Sequence, residues 1–172
     1  MAMSNVKRAS GKTTAKNAKK AGNSKKSQDA IALLRSDHQE VSALFGQFEK
    51  ARTAKRKGDL AAKICTELTV HAQIEEEILY PAFAAAIKDK SLVPEATVEH
   101  QSMKDLIGQI QSHSPDDALF EAKVTVLGEY VKHHVKEEQN EMFPKARKSK
   151  LDLKKLGEEL RVRKEELMAT HG

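Results

Sequence analysis

Two blocks of this chain repeat, and the repeat restricts the fold more than any other feature. Residues 37–48 read DHQEVSALFGQF and residues 99–110 read EHQSMKDLIGQI. Both open on acid-His-Gln, and Leu44, Gly46 and Gln47 recur as Leu106, Gly108 and Gln109 at an offset of 62. A second pair, HAQIEEEILYP at 71–81 and HVKEEQNEMFP at 134–144, aligns His71 with His134, Glu75 with Glu138, Tyr80 with Phe143 and Pro81 with Pro144 at an offset of 63. Two blocks at nearly one offset mark a duplicated two-helix unit.

Apolar residues inside each block recur at three- and four-residue steps, the period of a helix with one buried face. Ile31, Leu34, Val41, Leu44, Phe45 and Phe48 define the first helix. After a break expected at Lys57-Gly58-Asp59, Leu60, Ile64, Leu68, His71, Glu75 and Ile78 define the second. The third runs from about Pro94 to Gln111, with Val98, Met103, Leu106, Ile107 and Ile110 inward. The fourth is expected to start with Ser114 as N-cap and Pro115 at the first helical position, and carries Phe120, Val124, Leu127, Val131, His134 and Glu138. Short connections between such helices favour antiparallel neighbours, hence an all-α, up-down-up-down four-helix bundle over residues 29–147. A further amphipathic helix within 148–172, with Leu153, Leu156, Leu160 and Leu167, is expected to pack outside the bundle or to mediate self-association as a homo-oligomer.

The charge is unevenly placed. Residues 1–28 hold eight Lys or Arg and no acid, so the rest of the chain carries a net −3 although the whole is +5. That Lys-rich segment has almost nothing to bury and is expected to be a disordered basic tail, able to contact nucleic acid nonspecifically through phosphates. No run of apolar residues is long enough for a membrane span, and no apolar leader is present, so a cytoplasmic protein with no membrane association is expected. A single cysteine, Cys65, excludes an internal disulfide framework and Cys-based metal sites; it reads as a small packing residue.

The polar residues on the inward stripes carry the chemistry. His71 and Glu75 lie four apart, as do His134 and Glu138, so each pair shares one helix face. Both pairs continue an apolar stripe and therefore point inward, where an unpartnered carboxylate is costly. With His38 and His100 on the other two helices, the arrangement needs a common compensating partner, and imidazole with carboxylate suits iron, manganese or zinc. Four histidines and two carboxylates exceed one tetrahedral site and fit two metals bridged by the carboxylates.

Over roughly residues 30–145 the sequence resembles the hemerythrin-like (HHE cation-binding) domain. The matching residues are Asp37-His38, His71-x-x-x-Glu75 with Glu76 and Tyr80-Pro81, Glu99-His100, and His133-His134-x-x-x-Glu138 with Phe143-Pro144. The resemblance implies two non-haem iron ions, Glu75 and Glu138 as bridging carboxylates, and His38, His71, His100 and His134 as imidazole ligands. It also implies a small diatomic or peroxide ligand. In oxygen-carrying hemerythrins a further histidine follows one turn after the third-helix ligand, where this chain has Lys104. One iron would then take water or a further carboxylate, Glu76 or Glu137. That shifts the expected role from reversible oxygen carriage toward binding or sensing of oxygen, nitric oxide, reactive oxygen species or iron. The alternatives are an enzyme that decomposes peroxide or oxidises ferrous iron, and a DNA-tethered protein protecting against iron or oxidants. Of the remaining candidates, His133 loses to His134 by the repeat, His113 and His171 read as solvated, and Glu76, Glu77, Glu137 and Glu141 as an exposed acidic face, one of which could complete the coordination; Met103 and Met142 read as gap fillers, or as lining for a gas or peroxide pocket, and Tyr80 as helix-end packing, or as a hydrogen-bond donor near the metals.

Overall fold

The computed structural model describes residues 28–171, all in helices and short connections. The helices are α1 (Ala30–Lys50), α2 (Ala54–Ile74), α3 (Tyr80–Ala86), α4 (Leu92–Gln111), α5 (Ala118–Glu137), α6 (Phe143–Lys148) and α7 (Leu153–His171). Two π turns, Glu75–Leu79 and Glu138–Met142, join α2 to α3 and α5 to α6, so each pair forms one continuous rod. The basic segment expected to be disordered lies outside the described residues, apart from Gln28.

The bundle has two apolar clusters with a polar layer between them. Ile31 and Leu34 of α1 pack with Val70, Ile74, Phe83, Leu92, Met142 and Phe143, together with Leu156, Leu160 and Leu167 of α7. Val41, Leu44 and Phe48 pack with Leu60, Ile64, Leu68, Met103, Ile107, Phe120, Val124, Leu127 and Val131. Along each of the four rods, the histidine of the repeat falls between the two sets, as His38 does between Leu34 and Val41. The start of α1 meets the end of α2 in one cluster and the end of α1 meets the start of α2 in the other, which fixes the antiparallel order. Helix α7 lies against α1 and α2.

Local sequence chemistry sets the helix starts. Asp29 caps α1, accepting from Ala32 N at 2.8 Å, and is gripped by Arg147. Thr53 caps α2 by accepting from Arg56 N. The helix then runs straight through Lys57-Gly58-Asp59, contrary to the break read from the sequence. Gly58 serves close approach instead, since a Cβ there would lie 2.7 Å from Pro115 Cγ. Ser114 does not cap α5: Ser114 and Pro115 form a turn, with Asp117 N–H donating to Ser114 O, and Asp117 is the cap. Val98 is 68% exposed and not on the inner stripe of α4, because the stripe rotates onto Ala96, His100 and Met103.

The π turns follow from Pro81 and Pro144. In a regular α-helix each proline ring would collide with the carbonyl four residues back, on Glu77 or Asn140. A wider turn relieves this, and Tyr80 and Phe143 N–H donate five residues back to Glu75 O and Glu138 O. The extra residue keeps Glu75 and Tyr80, five apart, both buried on the inward face.

Gly157 of α7 sits against the start of α1, where a Cβ would come within 2.3 Å of Gln28 O and 2.7 Å of Ala30 N. Because the obstacle is backbone, Gly157→Ala is expected to lower stability by about 1–3 kcal/mol. Gly108→Ala, with nothing within 4 Å of its Cβ, should raise it by about 0.5–1 kcal/mol through helix propensity. Thermal melts of the two variants check the pair, and equal shifts would show that α7 is not seated as described.

Candidate metal centre

All six sequence-predicted residues meet at the polar layer. His38, His71, Glu75 and Glu138 form one group whose ligand atoms lie within 4.8 Å of one another, and Glu75, His100 and His134 form a second. His38 Nε2 and His71 Nε2 are 3.0 Å apart, as are His100 Nε2 and His134 Nε2. Each carboxylate reaches both imidazole pairs. Glu75 Oε1 lies 3.2 Å from His71 Nε2 and its Oε2 3.4 Å from His100 Nε2. Glu138 Oε2 lies 3.3 Å from His38 Nε2 and its Oε1 3.5 Å from His134 Nε2.

The far side of each ring is held by a second set of residues, which is itself duplicated. Asp37 Oδ2 is 3.3 Å from His71 Nδ1, and Glu99 Oε2 is 2.6 Å from His134 Nδ1. Glu76 Oε1 is 3.0 Å from His100 Nδ1, and Gln139, at the matching repeat position, is 3.2 Å from His38 Nδ1. An imidazole that donates Nδ1–H to a carboxylate presents the Nε2 lone pair on its other side. His71, His100 and His134 are fixed this way, so lone pairs and carboxylate oxygens converge on one point.

That convergence tests whether a cation fits. Glu75 is 0% and Glu138 2% exposed, and both oxygens of Glu75 and Oε2 of Glu138 have no hydrogen-bond partner. Unpaired buried carboxylates and facing lone pairs repel unless positive charge lies between them. The donor set of imidazole nitrogen and carboxylate oxygen suits divalent iron, manganese or zinc. Without a cation, protons supply the charge: burial opposes it, but the carboxylates of Glu75 and Asp37 push His71 up to about 10. Burial likewise works against ionised Glu75, yet His71 and His100 hold its carboxyl well below the usual range.

The two halves differ in what stands beside them. Tyr80 OH donates to Glu138 Oε1 at 3.1 Å and lies 3.2 Å from His100 Nε2. Burial and the nearby Glu75 and Glu138 keep this phenol protonated far beyond its ordinary range. Its repeat partner Phe143 instead stacks on His38 with centroids 5.9 Å apart and planes 7° from parallel. Lys104, where the oxygen carriers have histidine, binds both oxygens of Glu76 at 2.7 Å. Glu76 therefore braces His100 and is occupied away from the convergence point. His133 points outward at 64% side-chain exposure, as the repeat requires. Glu137 joins His133 there and not the buried groups. Cys65 is buried among apolar residues, its thiol pushed up to about 11 by burial.

The chain matches the Hemerythrin HHE cation binding domain over residues 29–146. It belongs to that family. A solved structure of a hemerythrin HHE cation binding domain-containing protein from Mycobacterium kansasii shares the fold, with TM-score 0.73 and 22% identity over 83% of this chain and 89% of that one. A DNA nickase of Nostoc sp. (strain PCC 7120 / SAG 25.82 / UTEX 2576) is 30% identical over 122 residues, which is 71% of this chain; the chain spans about a third (34%) of that relative's length. As a family member the chain is a cation-binding domain, and its buried His/Glu groups are side chains that could hold a cation.

Asp37, Glu99 and Tyr80 touch the convergent groups although none was read as a ligand from the stripes. Asp37 and Glu99 carried a signal, since an acid precedes the histidine in both repeats, but each acid serves the histidine of the neighbouring helix and not its own. Asp37→Asn is expected to weaken cation binding by about 10- to 100-fold by loosening His71. The proton on His71 must leave before a cation enters, so cation affinity should rise with pH toward about 10. In the cation-free protein the sign reverses. Stability from protonated His71 is complete below about 6.5 and is lost as pH rises through about 10. Cation titrations and melts across pH 6.5 to 10 check both directions, and a pH-independent affinity would contradict them.

Proposed function

We propose that His38, His71, His100, His134, Glu75 and Glu138 hold two cations, iron foremost, with Glu75 and Glu138 shared between them, and that the centre binds or senses a small molecule. The observation that carries this reading is the pair of buried carboxylates, each reaching both imidazole pairs. When bound, redox-active ions supply electrons and an open coordination position to dioxygen, nitric oxide or peroxide. The chain's own residues set the conditions. Asp37, Glu76 and Glu99 hold the rings in one tautomer, and Val41, Leu68, Met103, Ile107, Val131 and Val135 line an apolar pocket on the imidazoles. Such a pocket admits a small uncharged molecule and keeps bulk water away.

Tyr80 favours a second reading, in which the centre turns its ligand over. One oxygen of Glu138 is engaged by the phenol on the His100/His134 side, where the ligand group has three members and not four. A phenol held protonated beside that emptier side would donate a hydrogen bond to an oxygen-containing ligand and steady the charge that peroxide breakdown or ferrous-iron oxidation develops. The likeness to a DNA nickase and the eight basic residues of 1–28 support a third reading, nucleic-acid contact through that segment. A salt-sensitive DNA retention that disappears on deleting residues 1–28 would support it.

Anaerobic loading with ferrous iron followed by gel filtration and metal counting tests the centre. Two tightly held irons per chain are expected, and fewer than one would overturn the reading. Steady-state oxygen release from peroxide, reduced about 10²-fold or more in Tyr80→Phe, would establish turnover. Absence of release would leave binding.

A further inference from the structure

A second group of side chains able to ligate a cation lies outside the buried six, and two of its three members, His133 and Glu137, have no part in the function above. On α5, His133 and Glu137 lie one turn apart, and Glu99 reaches them from α4. His133 Nε2 is 3.2 Å from Glu137 Oε1 and 3.4 Å from Glu99 Oε1, and the three ligand atoms fall within 4.8 Å of one another. Glu99 uses its other oxygen, Oε2, to hold His134 Nδ1 at 2.6 Å. One carboxylate thus belongs to both the surface group and the support of a buried ligand.

The duplication shows that this group is particular to one half of the molecule. The repeat positions of His133 and Glu137 are Val70 and Ile74, both fully buried in the cluster that α7 completes. Asp37, the counterpart of Glu99, is paired at 2.8 Å by Lys164 of α7. The first half is closed by apolar packing and a lysine. The second half is left open, with two carboxylates and an imidazole.

A small cavity lies between this side and the buried groups. Glu99 and Glu137 line it together with His134, Met142 and Glu138. Glu138 there is 2% exposed, and its Oε1 lies 3.5 Å from His134 Nε2. Surface carboxylates raise the local concentration of cations and speed their capture.

We propose that Glu99, His133 and Glu137 form an outer site for a divalent cation of the iron, manganese or zinc class, from which ions pass to the buried centre along the cavity they share. One imidazole and two carboxylates from rigid helices leave coordination positions open, which suits capture and release over permanent retention. The loading role rests on the buried two-cation reading; the outer site does not.

Two measurements test it with exposed side chains as the variable. The first follows anaerobic loading of the buried centre by ferrous ion, quenched with chelator and counted over time. His133→Asn/Glu137→Gln is expected to reach the wild-type final count about tenfold more slowly. An equal rate overturns the proposal. The second titrates His71→Ala/His134→Ala with Mn²⁺ alone, detected by electron paramagnetic resonance. One weakly held Mn²⁺ per chain is expected, lost when His133→Asn/Glu137→Gln is added; no bound Mn²⁺ overturns the outer site. If wild type retains no iron, the buried centre fails while the Mn²⁺ titration still decides the outer site.

Discussion

The structure depends on two carboxylates placed where carboxylates are most costly. Glu75 and Glu138 lie buried at the middle of the bundle with too few hydrogen-bond donors. The effective penalty for burying such charges is on the order of several kcal/mol each even after relaxation. The surroundings answer with four imidazoles, and the imidazoles are answered in turn by Asp37, Glu76, Glu99 and Gln139. Charge alternates outward in layers, from the central carboxylates through rings to peripheral acids and then to Lys104 and Lys164. A cation at the middle completes a sequence that the side chains already begin.

Duplication explains why the layers match, and the departures from it explain why the halves are not equivalent. Tyr80 and Phe143 occupy one repeat position but put a hydroxyl on one side and a bare ring on the other. Helix α7, which has no counterpart in the duplicated unit, seals the first half with leucines and Lys164. The molecule therefore has a closed, apolar side and an open, polar side, although both arose from the same two-helix pattern.

Much of this was legible in the residues. The helix period placed four rods and the fifth helix, and the repeat picked His134 over His133 because His71 has no ligating neighbour before it. The stripe put His38, His71, Glu75, His100, His134 and Glu138 on facing helix sides, and the fold gathers them into two adjoining groups. It erred where local rules were overruled by contacts distant in sequence. Gly58 looked like a break because the approach of Pro115 is invisible at that range. Ser114-Pro115 looked like a helix start although Asp117 offers the better cap. Val98 was assigned inward by a period that drifts over one turn. The π turns were signalled only by prolines placed six residues after each glutamate. Lys164 on Asp37 had no signal, since 127 residues separate them.

The polar layer also divides the core. Each rod passes from one apolar cluster, through the polar belt, into the other. Two half-cores of modest size are thus coupled mainly through what happens between them. On the proposed function, positive charge at the belt, carried by a cation or by a protonated imidazole, couples the two half-cores, so the cooperativity of unfolding, and not only its midpoint, would depend on what the belt holds.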